Sequence, residues 1–150
     1  MRRVSGNSLC CRLILTRSKK GDSLKFLYIA LGGGIGAVLR YLVSTFTHNF
    51  YGRIFPLGTL IVNVTGCFLI GFLTCLFEKI SIGNNLRLFI FIGVLGGFTT
   101  FSTFGLESFN LMKNSEIRYS IENILLNNIL GIGFVYLGFA ACKFIFKFIK

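Results

Sequence analysis

The sequence predicts an all-α integral membrane protein with four transmembrane helices, the third of them broken. Three observations carry that prediction. Of 150 residues, 53% are hydrophobic and 14% charged, with a mean hydropathy of +0.74, whereas a water-soluble domain carries charge on roughly 25% of its residues. Four apolar runs, 26–46, 57–77, 88–106 and 123–142, each reach the length of about 20 residues that one bilayer crossing needs. The third run also holds two adjacent glycines and four hydroxyl residues at bilayer depth. Residues 24–150 therefore form one four-span membrane domain, with no room for a separate soluble catalytic domain.

Residues 1–23 are basic and are expected to be a disordered tail outside that domain. Their one apolar patch, Leu9 to Leu15, is interrupted by Arg12 and is too short for a secretory signal; a transit-like segment and a misassigned start are the alternatives. The net charge of +11 does not imply nucleic acid, because the charge flanks the spans. Seven basic residues precede the first span and three follow the last, where anionic head groups favour them. Four crossings place both termini on one side, and that side carries twelve Lys and Arg against Arg53, Lys113 and Arg118 on the other. Without the tail the count is six against three, still predicting cytoplasmic termini in the inner (plasma) membrane. Cys10, Cys11, Cys67, Cys75 and Cys142 have no metal-ligand spacing and read as small apolar packing residues.

The first span crowds Gly32, Gly33, Gly34 and Gly36 together and contains one charge, Arg40. Small residues let helix backbones approach in lipid, and Gly32 to Gly36 has GxxxG spacing, as does Gly93 to Gly97 in the third span. Arg40 either snorkels to the head groups, faces a water-filled vestibule or caps a carbonyl. In the second span Asn63 is the only amide; cross-helix hydrogen bonding and the lining of a polar path remain equally open for it.

The third span reads Gly93-Val-Leu-Gly-Gly-Phe-Thr-Thr-Phe-Ser-Thr-Phe104. One or two helical hydroxyls can bond back to the preceding turn. Four beside Gly96-Gly97 instead predict a break over about 96–100, which exposes backbone amides and carbonyls to ions. Phe101 and Phe104 stand three residues apart on one helical face, either as packing or lipid contacts or with electropositive ring edges facing a small anion. The fourth span opens with Asn123, Asn127 and Asn128, the first two one turn apart. Glu78, Glu107, Glu116 and Glu122 fall at span ends, leaving no intramembrane carboxylate for proton coupling. No hydrolytic constellation is present either, so the chain reads as a passive conductor and not an enzyme.

The segments Gly33-Gly34-Ile-Gly36-Ala-Val-Leu-Arg40-Tyr41, Gly58-Thr-Leu-Ile-Val-Asn63-Val-Thr-Gly66 and Gly96-Gly97-Phe-Thr99-Thr100-Phe101-Ser102-Thr103-Phe104 resemble the three signatures of the Fluc (CrcB) fluoride channels. The resemblance covers residues 26 to about 142. It implies a subunit that works as an antiparallel dual-topology dimer with two fluoride pathways along the subunit interface. It further implies passive, selective fluoride export that protects the cell. By the same resemblance Phe101 and Phe104 line the pore, with the Asn63 amide and the Thr103 hydroxyl beside them. The backbone carbonyls of Gly96 and Thr99 from both subunits are implied to hold a structural sodium ion that is not transported, and Arg40 takes a vestibule or architectural role.

Two features depart from the family pattern. Asn123 and Asn127 stand where the fourth span usually offers a polar track of hydroxyls, and residues 1–23 have no counterpart. The charge bias also favours one orientation, so the partner is either a second copy or an oppositely oriented paralogue, embedded in membrane lipid. A small multidrug-type exporter would place an acidic residue in the first span, where this chain has Arg40. A non-transporting structural subunit would need the glycines without the hydroxyl and phenylalanine cluster.

Overall fold

A chain this apolar satisfies its backbone groups within helices, because lipid offers them no hydrogen-bond partners. The computed structural model describes residues 22–51 and 55–148 and shows helices throughout. The tail up to Gly21, with Cys10 and Cys11, lies outside the described residues, as do Arg53 and Lys150. The elements are α1 (Asp22–Tyr51), α2 (Leu57–Lys79), α3 (Asn84–Arg87), a π-helical stretch (Leu88–Leu95), α4 (Gly96–Phe98), α5 (Phe101–Lys113) and α6 (Ile117–Phe148). Four stretches are long and apolar enough to cross a membrane: Ser23–Phe50, Leu57–Lys79, Asn84–Lys113 and Ile117–Phe148. The molecule is a multi-pass membrane protein.

Boundaries follow local chemistry. Pro56, the only proline, caps α2, where its missing N–H leaves no helical carbonyl unpaired. Arg87 donates to the Phe77 carbonyl at 2.9 Å and lies over the Phe77 ring, which ties the end of α2 to the start of the third span. Between α5 and α6 the chain turns at Asn114 and Ser115, the latter at φ 64°.

The helices pack as two parallel pairs, each joined along small residues. In the first, α1 lies against the π-helical stretch and α4. A Cβ on Gly32 would meet the Phe89 carbonyl at 2.5 Å, and one on Gly97 would meet the Gly33 carbonyl at 2.5 Å. In the second, α2 lies against α6. Gly71 faces the Val135 carbonyl and Gly138 the Phe68 carbonyl, and one turn further Cys142 is buried, as is Cys75 on α2. Cys67, Cys75 and Cys142 are free thiols. The two GxxxG spacings thus meet each other, and backbones touch where lipid gives no hydrophobic force to hold helices together. Large apolar side chains such as Phe26, Leu31, Val38, Ile129, Ile132 and Tyr136 face outwards.

Candidate functional site at the third span

The third span leaves helical geometry at two residues. Thr99 has φ −76° and ψ 155°, Thr100 has φ −148° and ψ 117°, and α5 resumes at Phe101. The departure is narrower than the expected 96–100, because Gly96, Gly97 and Phe98 are helical. β-branched threonines tolerate extended backbone well. Each also supplies its own capping bond. Thr99 closes the first half, its N–H and hydroxyl both donating to the Leu95 carbonyl at 3.0 and 2.9 Å. Thr100 opens the second half as the N-cap of α5, its Oγ1 accepting from the Thr103 N–H at 3.2 Å and its hydroxyl donating to Thr103 Oγ1 at 2.9 Å.

Asn63 holds the extended peptide from across the bundle. Its Oδ1 accepts the Thr100 N–H at 2.9 Å, and its Nδ2 donates to the Thr100 carbonyl at 3.2 Å and to Asn127 Oδ1 at 3.0 Å. Both amide protons of Asn63 are therefore engaged within the subunit. A consequence follows for the carbonyls. In an unbroken helix Thr100 would donate to the Gly96 carbonyl and Thr103 to the Thr99 carbonyl. Here both donors turn elsewhere, to Asn63 and to Thr100 Oγ1. Gly66 admits this arrangement, since a Cβ there would collide with Thr99 Cγ2.

A groove of ≈ 340 Å³ opens along the break, lined among others by Asn63, Gly96, Thr99, Phe101, Phe104 and Asn127. Phe101 and Phe104 have ring centroids 5.4 Å apart, tilted by 58°. Phe101 is 82% exposed, while Phe104 is 7% exposed. Thr103 is exposed at the α5 start, and Arg40 is half-buried one turn past Gly36 on α1; neither lines this groove. Asn123 is fully buried and donates to Ser108 Oγ at 3.0 Å, while Asn127 donates to Asn123 Oδ1 at 2.8 Å. Among the described residues no three His, Cys, Asp or Glu side chains come together as a metal cluster.

Sequence reasoning missed three side chains that matter. Ser108 and Ser120 are buried, with the Ser120 hydroxyl donating to the Ser108 carbonyl at 2.8 Å. Glu107, placed at a span end from the sequence, lies within two turns of the end of the Asn84–Lys113 stretch, and what the sequence does not give is its surroundings. Thr59 donates to its Oε1 at 2.7 Å, while its Oε2 is buried without a partner. Glu107 also lines a second cavity of ≈ 460 Å³ with Thr47, His48, Asn110 and Glu116. The signal was present: Thr59 stands one turn from Asn63, and Glu107 one turn from Phe104, on faces already marked.

Comparison with known proteins places this geometry. The family model described as CrcB-like protein, Camphor Resistance (CrcB), matches residues 27–139. A protein of Shewanella amazonensis is 49% identical over 112 residues, 75% of this chain and 90% of the relative. One of a Hydrogenobaculum species is 47% identical over 116 residues, covering 77% and 94%, and one of Desulforapulum autotrophicum is 45% identical over 115, covering 76% and 92%. All three bear the name fluoride-specific ion channel FluC. The match reaches into all four spans and includes Asn63, the break and both phenylalanines, and the chain belongs to the CrcB family.

Proposed function

We propose that this protein is a fluoride channel that lets the ion leave the cell passively, and that two subunits build the conducting unit. The observation that carries the reading is the third-span break, pinned by Asn63 and flanked by Phe101, Thr103 and Phe104. Phenyl edges carry partial positive charge, and a hydroxyl can donate, so the cluster suits a small anion without burying an ammonium. Phe101 is the ring a second subunit would cover, since 82% of it is exposed in this one. The names of the relatives supply the ion.

The same break fits a structural sodium ion. The Gly96 and Thr99 carbonyls, deprived of helical donors, are hard neutral oxygens of the kind alkali and alkaline-earth cations prefer. Residues Gly96 and Thr99 of both subunits would hold it, and when bound it supplies a fixed positive charge between them. Arg40 adds positive charge near the first span's midsection, in a vestibule or architectural role. Asn123 and Asn127 take the place of the fourth-span polar track. The partner is a second copy in antiparallel orientation, or an oppositely oriented paralogue.

Export follows from physics and needs no coupled ion. An inside-negative potential drives an anion outwards by about 2.3 kcal/mol per 100 mV. Fluoride that enters as the neutral acid and ionises inside is then returned. Expression in bacteria stripped of their own fluoride exporter tests this reading. Restored growth in millimolar-range fluoride is the expected result, and growth no better than with empty vector contradicts it.

A further inference from the structure

The hydrogen bonds leading from the break into α6 share one polarity. The Thr100 N–H can only donate, which turns Asn63 Oδ1 towards it and leaves the Asn63 amide to donate to Asn127 Oδ1. Asn127 in turn donates to Asn123 Oδ1 at 2.8 Å and to the Asn123 carbonyl at 3.0 Å. Asn123 donates to Ser108 Oγ at 3.0 Å, and the Ser108 hydroxyl donates to the Phe104 carbonyl at 2.8 Å. The bonds that link one residue to the next all run from Thr100 to Phe104, while Asn63 also donates back to the Thr100 carbonyl at 3.2 Å. A backbone N–H fixes one end and a backbone carbonyl the other, so no amide between them can flip without setting donor against donor. Such chains strengthen their members cooperatively in a low-dielectric interior. The middle of the chain is remote from the groove: Asn123 is fully buried, and neither it nor Ser108 lines the groove.

We infer that Asn127, Asn123 and Ser108 are positioning residues: they lock the Asn63 carboxamide in the one orientation that draws the Thr100 N–H away from the Gly96 carbonyl, and so set how tightly the break holds an alkali cation. The inference rests on the sodium site proposed above. Without Asn127, Asn63 keeps its two bonds to Thr100 but loses the acceptor that holds its carboxamide against the break, so that the carboxamide can draw away from the Thr100 peptide. The Thr100 N–H then returns to the Gly96 carbonyl, which closes that oxygen to a cation. Apparent affinity falls in proportion to the binding-competent fraction, so a fall to about one-tenth raises the sodium requirement roughly tenfold.

Thermal unfolding of the detergent-purified full chain, followed against sodium chloride at constant ionic strength with N-methyl-D-glucamine chloride, reads that requirement without relying on flux. Asn127→Leu is expected to need roughly tenfold more sodium for half-maximal stabilisation, and Ser108→Ala severalfold more. Ser108→Thr, which keeps the hydroxyl, should retain the wild-type requirement. Thr74→Val should as well, since it removes only a bond from Thr74 to the Ile70 carbonyl away from the chain of amides. Where Asn127→Leu fails to fold, Ser108→Ala decides. An unchanged sodium requirement in the folded Asn127 and Ser108 variants, whatever their melting temperatures, overturns the inference. Wild-type protein that sodium does not stabilise more than N-methyl-D-glucamine overturns the sodium site and the inference with it, and fluoride flux by the same preparation then reports separately on the channel reading.

Discussion

Phe101 and Phe104 stand three residues apart with touching rings, yet the subunit treats them differently. Phe104 is packed among neighbours, while 82% of Phe101 is open. Either ring replaced by Ile should cut fluoride flux at least tenfold, measured in proteoliposomes. Only Phe104→Ile should also lower subunit stability, by about 1–2 kcal/mol in a denaturant titration, because only that ring is close-packed. Glu107 makes a second residue-scale test. Its half-buried carboxylate near the end of the third span is a candidate for proton coupling. A passive channel nevertheless predicts that Glu107→Gln conducts fluoride and that an imposed proton gradient does not drive it; loss of flux in that variant would favour a coupled carrier. Asn63 shows what the sequence could and could not tell. Its position in a signature is legible, and the sequence leaves a cross-helix bond and a polar path equally open. Its partner Thr100 lies 37 positions away, so its grip on the break could only come from the fold.

At the scale of elements the GxxxG spacings were legible because small-residue periodicity is a local signal. The Gly96-Gly97 pair serves the same packing. The pair lies within the 96–100 over which the sequence predicts a break, but Gly97 is helical and small so that Gly33 can approach, and the chain departs from helix only at Thr99 and Thr100. The π-helical stretch at Leu88–Leu95 had no sequence signal, since its eight apolar residues suit either helix type. The α2 and α6 seam yields a sharp contrast. Gly71→Ala and Gly138→Ala drive a methyl into the Val135 and Phe68 carbonyls, and each should destabilise the subunit by about 2 kcal/mol or more. Gly133→Ala, with nothing within 4 Å of its Cβ, should be neutral or stabilising by up to about 1 kcal/mol through helix propensity. Unfolding of the three variants side by side checks both signs.

For the whole molecule, hydropathy alone gave the fold class, since a run of twenty apolar residues has few destinations other than lipid. The assembly was not written as plainly. The outward faces of α1 and α6 are apolar whether they meet lipid or a second subunit. Orientation is a matter of counting charges: without the tail, six basic residues against three favour cytoplasmic termini. Tags at both ends of cell-expressed protein, probed with an impermeant label, should show a majority with termini inside. An equal split would remove any need for an oppositely oriented paralogue. The central claim is conduction, and the most direct measurement is fluoride efflux from proteoliposomes containing this chain alone, followed with a fluoride electrode in sodium and then sodium-free buffer, with chloride as control. Rapid fluoride efflux that needs sodium and ignores chloride is the predicted result. No fluoride efflux from well-folded protein, alone and again with an oppositely oriented paralogue, would contradict the account.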